Sequence, residues 1–211
     1  MHAVVFDIDG TLLQSAEVDD ALYQQAVRSV LGDVQIRSSL AEYRYVSDSG
    51  ILAEIFADNH IPIESALVDS IKTLFVEALK LHVATAGPFP EIPGARNILR
   101  IMTRSLDHSI AIATGGWRAS ALLKLESSGF GELDIPLATS DDAEDRKEIM
   151  KFALAYLGRS FDSVTYYGDG PWDRDAAREL GWQFVPVGSA LGGLQSYNAS
   201  LLGRPVPQES T

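Results

Sequence analysis

The sequence predicts an α/β protein: a parallel sheet core with one all-helical insert. Three observations carry this expectation. Five short apolar runs, rich in β-branched and aromatic residues, recur along the chain. Helical periodicity fills the gaps between most of them, and strands alternating with helices argue for a parallel sheet. Between the first and second runs the alternation stops, and the stretch from about 15 to 86 carries helical periodicity with almost no strand signal.

In chain order, the first run is Ala3-Val4-Val5-Phe6, which halts at Asp7-Ile8-Asp9-Gly10-Thr11. An uninterrupted apolar run suits a strand buried on both faces. Three helical stripes follow in the insert: Leu22, Ala26 and Val30; then Ile51, Leu52, Ile55 and Phe56; then Leu67, Ile71, Leu74, Phe75, Ala78 and Leu79. The segment from Gly87 to Gly94 holds three prolines and reads as a stiff connector. From Pro93 to about Thr103, Ala95, Ile98, Leu99 and Met102 fall at helical spacing before the second run, Ser109 to Ala113. A helix from Trp117 to Ser127, with Ala121, Leu122 and Leu125, precedes the third run, Ile135 to Ala138. A helix from Glu144 to Leu157, with Ile149, Phe152, Ala153 and Tyr156, precedes the fourth, Val164 to Tyr167. The last helix, Trp172 to Leu180, is closed by Gly181 and leads into the fifth run, Gln183 to Val187. Pro136 and Pro186 assign the third and fifth runs to sheet edges, because proline cannot donate to a ladder on both sides. The expected division is therefore a core of residues 1–14 and 87–211 around a helical insert of 15–86.

Composition narrows the function classes. Hydrophobic residues make up 46% and charged residues 22%, ordinary for a globular chain, and no apolar run approaches the ~18 residues of a membrane span. The 29 acidic residues exceed the 17 basic ones, and a formal charge of −12 argues against nucleic acid and anionic membranes as partners. With no cysteine, disulfide scaffolds, zinc–thiolate sites and thiol catalysis are excluded. Met1 runs almost directly into strand pattern without a signal segment, so a cytoplasmic location is expected. His2, His60, His82 and His108 are scattered, with no ligand spacing.

Parallel sheets place ligands outside the carboxyl ends of their strands. The polar residues at those ends are Asp7 and Asp9, then Thr114, then Asp169. An Asp-Gly pair alone is ordinary turn chemistry, but Asp7 and Asp9 follow a wholly apolar strand. Asp173 complements the dipole of the helix it begins, an account that does not extend to Asp169. If the first and fourth strands open into one crevice, Asp7, Asp9, Asp169 and Asp173 converge. Two unit charges about 4 Å apart repel by about 4 kcal/mol at an effective dielectric of about 20, so such a cluster needs a cation. All-oxygen ligation without His or Cys selects a hard metal, Mg²⁺. Thr114-Gly115-Gly116 before a helix reads either as an anion site or as a Thr with permissive glycines. Arg146 and Lys147, near a helix start, read either as partners of the neighbouring acids or as a phosphate-binding cation. Trp172 borders Asp169 and reads either as a pocket wall or as an anchor of helix to sheet, the anchor being favoured for it and for Trp117.

Val4-Val5-Phe6-Asp7-Ile8-Asp9-Gly10-Thr11-Leu12 resembles the first motif of the haloacid dehalogenase superfamily of phosphatases. Ile112-Ala113-Thr114-Gly115 resembles the second motif and Gly168-Asp169-Gly170-Pro171-Trp172-Asp173 the fourth. The first and fourth, in order and about 160 residues apart, are the specific pair, and the resemblance runs to about Val187. For the third motif the family commonly has a Lys or Arg before a Pro-containing helix start; here that Pro is missing, and Lys147 is taken as the cation with Arg146 as substitute.

The resemblance implies a Rossmann-like core with an inserted helical cap, as in phosphoglycolate phosphatase-like members, and a mechanism. Asp7 is the nucleophile that becomes an aspartyl-phosphate, and Asp9 protonates the leaving alcohol and then activates water. Mg²⁺ takes the carboxylates of Asp7 and Asp169, the main-chain carbonyl of Asp9, and Asp173 as ligand or neighbour of a ligand. Thr114, with Gly115, and Lys147 hold the phosphoryl oxygens. The family's C–Cl cleaving members lack the second Asp of the first motif, so Asp9 points to phosphoester chemistry. A phosphoryl-transferring mutase keeps both aspartates and remains an alternative, as does a catalytically silent phosphate-binding protein. The expected partner is a small phosphorylated metabolite; oligomeric state is not readable. In the cap, Arg44-Tyr45-Val46-Ser47-Asp48-Ser49-Gly50 precedes the Ile51 stripe. It reads either as a capped helix with a surface Arg, or as a helix start whose N–H groups meet the leaving group while Arg44 supplies positive charge.

Overall fold

A computed structural model describes residues 1–198. Five strands form one wholly parallel sheet: β1 (His2–Phe6), β2 (His108–Ala113), β3 (Leu137–Ala138), β4 (Ser163–Gly168) and β5 (Gln183–Pro186). Their order is β3-β2-β1-β4-β5, so the first run is central and the two proline-bearing runs are at the edges, as their sequence requires. The most apolar run takes the middle because only there are both faces of a strand covered.

Helices α4 (Ala95–Thr103), α5 (Arg118–Ser127), α6 (Arg146–Ala155) and α7 (Pro171–Glu179) connect the strands. Alternate residues of β1 divide between two cores. Val4 and Phe6 face Ile98, Leu99 and Leu125 of α4 and α5, while Ala3 and Val5 face Ile149, Met150, Ala153, Ala176 and Ala177 of α6 and α7. That two-residue alternation is the strand period itself, and it produces a helix–sheet–helix sandwich.

The insert contains α1 (Ala16–Leu31), a short 3₁₀ turn (Leu40–Glu42), α2 (Asp48–Asp58) and α3 (Ser65–Ala86). α2 and α3 bury the expected Ile51, Leu52, Ile55, Phe56, Ile71, Phe75 and Leu79, but Leu74 is exposed. In α1 the buried face is Asp19, Tyr23, Ala26 and Val27; of the stripe read from sequence Ala26 is buried, while Leu22 and Val30 are partly buried against the same core. The two connectors between cap and core run antiparallel and are tied by Gln14 N–H to Pro90 O (2.8 Å) and Ile92 N–H to Leu12 O (2.9 Å).

The cap is docked on the core through polar contacts at the start of α2. Asp48 N–H donates to Gly115 O (2.8 Å), Ser47 Oγ to Glu144 O (2.7 Å) and Ser49 Oγ to Ser140 O (2.9 Å). Trp117 is nearly fully buried at this junction, where it packs against Tyr23 and Phe75 of the cap and donates from Nε1 to Ser49 Oγ. It therefore joins core to cap rather than helix to sheet, a correction to the sequence expectation. No helix among the described residues is long and apolar enough to cross a membrane.

Candidate active site

The register of the central strands builds the site. Phe6 is level with Ile112 of β2 and Tyr167 of β4, so Asp7, Thr114 and Asp169 leave three adjacent strands within two residues of one another. β1 is also where the strand order turns from one direction to the other, the position at which open parallel sheets leave a crevice. Gly10, at φ +74°, completes the turn after β1, and a Cβ there would meet Asp169 Oδ2 at 2.0 Å. The loop backbone thus lies directly against the Asp169 carboxylate, an approach only glycine permits.

Asp7, Asp169 and Asp173 each offer a carboxylate oxygen within 4.8 Å of the others. Asp173 comes from the first turn of α7; its Oδ2 accepts from Gly170 N–H (3.3 Å), and its Oδ1 accepts from the buried Tyr166 hydroxyl (3.3 Å). Burial pushes the Asp7 carboxyl well above the ordinary carboxylate range; Arg146 pulls it back, and Asp173, Asp169 and Asp9 push it further. Asp169 is pushed up to about 7, by burial first and by Asp173 next. Buried together, the three carboxylates favour a positive charge among them. The all-oxygen donor set of Asp7, Asp169 and Asp173 fits a hard divalent cation such as Mg²⁺.

Part of that charge is supplied by Arg146, the first residue of α6. It is buried, and its Nη1 lies 3.3 Å from Asp7 Oδ1 while its Nε lies 3.2 Å from Asp173 Oδ1, too poorly aligned to count as a hydrogen bond. Lys147, expected to hold this place, does not. Its ammonium pairs with Glu179 (2.7 Å) in a second, larger groove, and its N–H is capped by Asp145. The reason is helix geometry: neighbouring residues diverge by about 100° around the axis, so only one of the pair can face the sheet. Arg146 shares a face with Ile149, Met150 and Ala153, all buried.

Thr114 is buried at the end of β2; its Oγ1 accepts from Gly116 N–H (3.2 Å), leaving its own O–H to donate. A Cβ on Gly115 would sit 3.0 Å from Val46 O and 3.1 Å from Arg146 Nη2, so this position is pressed between cap and cation. Trp172 lines the cavity, where the sequence suggested a helix anchor.

Asp9 is held apart from this cluster. Both of its oxygens accept from Lys124 Nζ (2.7 and 2.8 Å), and Ser15 Oγ donates to Oδ1 (2.5 Å). Lys124, on α5, is 0% exposed and also donates to Asp19 Oδ1 of the cap (2.6 Å). Asp19 is pushed up to about 7, mostly by burial, with Lys124 opposing. Neither Lys124 nor Asp19 was singled out from sequence, although the signal existed. Lys124 falls at helical spacing with Ala121 and Leu125, and Asp19 with Tyr23 and Ala26, so each belongs to an apolar stripe.

These groups surround a cavity of about 160 Å³ between the strand ends and the cap. The core contributes Asp7, Asp9, Thr114, Gly115, Arg146 and Asp169. The cap contributes Asp19, Asp20, Tyr23, Ser47 and Asp48, and Arg146 is the one cation among the described lining residues. Ser47 does cap α2, accepting from Gly50 N–H (3.2 Å). Arg44 does not reach the cavity: it is exposed, stacks over Tyr45 and lines the same outer groove as Lys147. Of the two readings of this segment, the placement of Arg44 favours a capped helix with a surface Arg.

A family model described as haloacid dehalogenase-like hydrolase matches residues 1–181. No curated protein matches the chain in sequence. Among solved structures, a hydrolase from Pseudomonas syringae is 20% identical with a TM-score of 0.69, over 88% of this chain and 84% of that one. A β-phosphoglucomutase from Clostridium difficile is 16% identical with a TM-score of 0.68, over 89% and 84%. CbbY from Rhodobacter sphaeroides, solved in complex with phosphate, is 18% identical with a TM-score of 0.67, over 95% and 90%. At these identities the likeness is one of fold.

Proposed function

The chain belongs to the haloacid dehalogenase-like hydrolases, and from that premise we propose that it is a Mg²⁺-dependent phosphatase of small phosphomonoesters. The observation that carries the reading is the convergence of Asp7, Asp169 and Asp173 within 4.8 Å, with Arg146 against Asp7, beside a cavity lined by Asp7, Asp9, Thr114, Arg146 and Asp169. Asp7, Asp169 and Asp173, with the Asp9 carbonyl, are the residues that would hold the ion. When bound, it supplies charge that lets Asp7 and a phosphoryl dianion share one pocket.

The chain's own groups divide the chemistry. An Asp7 oxygen attacks phosphorus; the bond to the ester oxygen breaks, and that oxygen takes a proton from Asp9 as the alcohol departs. A water then attacks the phosphorus of the aspartyl-phosphate and gives its proton to Asp9. The bond to Asp7 breaks, and inorganic phosphate leaves with the enzyme restored. Thr114 O–H, the N–H groups of Gly115 and Gly116, and Arg146 bind the phosphoryl oxygens as charge moves onto them.

The cavity also limits the substrate. About 160 Å³ admits a phosphoryl group and a short alcohol, and the docked cap bars polymers. Of the cap acids that line the cavity, Asp19 is paired with Lys124 and Asp48 accepts from Trp117 N–H, leaving the Asp20 carboxylate to disfavour acidic alcohols and favour neutral or amine-bearing ones. The test is a screen of small phosphomonoesters with Mg²⁺, reading phosphate release with and without chelator. Transfer of the phosphoryl group to give an isomerised phosphate, without release, would make the protein a mutase. Absence of turnover on every ester would leave phosphate binding alone.

A further inference from the structure

Lys124 is a fully buried ammonium to which the scheme above gives no task. All three of its N–H bonds are committed: two to the oxygens of Asp9 and one to Asp19. Its stem rises from α5 in the core, whereas Asp19 belongs to α1, the first cap helix, and Ser15, the remaining donor to Asp9, ends the connector between them. The carboxylate of Asp9 therefore takes its direction from a lysine that is itself held in place by the cap. Other charges near this group are Asp48 of α2, Asp20 of α1, and Asp7 and Asp169 beside Asp9, all acidic and none of a sign that repels the ammonium.

We propose that Lys124 is a positioning residue for Asp9, wedged between the acid–base carboxylate and Asp19 so that docking of the cap fixes the direction of Asp9. The inference rests on the phosphatase reading, since it assigns Asp9 the proton transfers. It differs from a purely structural tether between cap and core in what it demands of the two half-reactions. A tether affects both alike. A residue that aims Asp9 matters most where Asp9 must act, in hydrolysis of the aspartyl-phosphate and in expulsion of poorly leaving alkyl alcohols. It matters least in formation of the aspartyl-phosphate from an aryl ester, whose phenolate leaves without a proton.

The experiment uses the full chain with Mg²⁺ and two probes, an aryl phosphate and a short alkyl phosphate. Lys124→Met keeps the length of the side chain and removes its donors; Lys124→Arg keeps donors; Asp19→Asn loosens only the cap side of the wedge. For Lys124→Met the expected result is a fall in kcat of about 10–100-fold on the aryl ester with KM unchanged or lower, and a larger fall on the alkyl ester. The fraction of enzyme trapped as acid-quenched phosphoenzyme should rise. Lys124→Arg should recover part of the loss, and Asp19→Asn should move every readout the same way by less. In an Asp9→Asn background, Lys124→Met should add little, because the two act as one unit. If Lys124→Met does not fold, the Arg and Asp19 variants carry the same comparison. An unchanged phosphoenzyme fraction with equal losses on both esters would overturn the proposal. Wild-type protein that neither releases phosphate nor forms phosphoenzyme would instead overturn the phosphatase reading, and this inference with it.

Discussion

Two buried cations stand on either side of the same cavity, each with two carboxylates, and the difference between them lies in where the partners come from. Arg146 sits between Asp7 and Asp173, so α6, β1 and α7 all belong to the sheet core. Lys124 sits between Asp9 and Asp19, so one partner is core and the other is cap. Burying an ion costs several kcal/mol, and removing one partner of a buried pair costs ~3–5 kcal/mol, so neither group persists without its neighbours. The Arg146 group is held by strand register and does not depend on the cap. The Lys124 group exists in this form only while α1 is docked. The first group is thus built within the core alone, while the second is shared between core and cap.

The most severe way to break the comparison is to remove the nucleophile. Asp7→Asn should reduce phosphate release by ~10³-fold or more while the far-ultraviolet spectrum is retained, because the amide keeps the shape and loses the attacking oxygen. A residual rate above a few per cent would show that the carboxylate is structural. Removing metal with chelator should stop turnover as completely. Addition of Mg²⁺ at about 100 times its dissociation constant should stabilise the protein by about 2.7 kcal/mol, read as a rise of roughly 5–10 °C in Tm.

Arg146→Ala should cost ~10²–10³ in kcat/KM, the scale of losing one donor to the reacting oxygens. Lys147→Ala should stay within about twofold, since its ammonium serves Glu179 at the surface. Equal losses in the two variants would erase the distinction between the buried and exposed cations of this pair.

A gentler probe is pH. Asp169 and Asp19 are both pushed up to about 7 in the folded protein, against about 4 in an unfolded chain. The folded state then binds more protons between these values. Their contribution is fully present below about pH 4 and is lost as pH rises through about 7. Metal-free protein should accordingly melt lower at pH 8 than at pH 5.5. Mg²⁺, which competes with protons at Asp169, should flatten that slope, whereas the Asp19 share should survive metal addition. A metal-free Tm that climbs over this range would contradict the assignment. Smallest of all is the expected effect of Arg44→Ala, within about twofold on any ester, because Arg44 lies in the outer groove.

Much of this architecture could be read from the chain. The continuous apolar run at 3–6 dictated a central strand, and Pro136 and Pro186 dictated the edges, because these follow from local sterics and from how many faces of a strand are covered. The acids at 7, 9 and 169 were visible because they follow apolar runs beside glycines, and Asp173 because it stands in the first turn of the helix that begins at Pro171. Choosing between Arg146 and Lys147 was also within reach: counting back three and four residues from Ile149 and Met150 lands on Arg146. Motif position favoured the lysine, and helical phase, which reports the direction a side chain takes, favoured the arginine.

What the sequence alone determined is therefore whatever depends on neighbours in the chain: the strands, the helices, the edge positions and the acids at strand ends. Tertiary structure decided which distant charges meet. Lys124 and Asp9 are separated by 115 positions, and Lys124 and Asp19 by 105, so no local pattern joins them. The charged Lys124 and Asp19 lie in apolar stripes that ordinarily exclude charge, and only the closing of cap onto core supplies each with the partner that makes its burial tolerable. The same docking put acids over the cavity, for the physical reason that side-chain direction at an interface between two folded parts is set by their docking and not by either part's own helical or strand period.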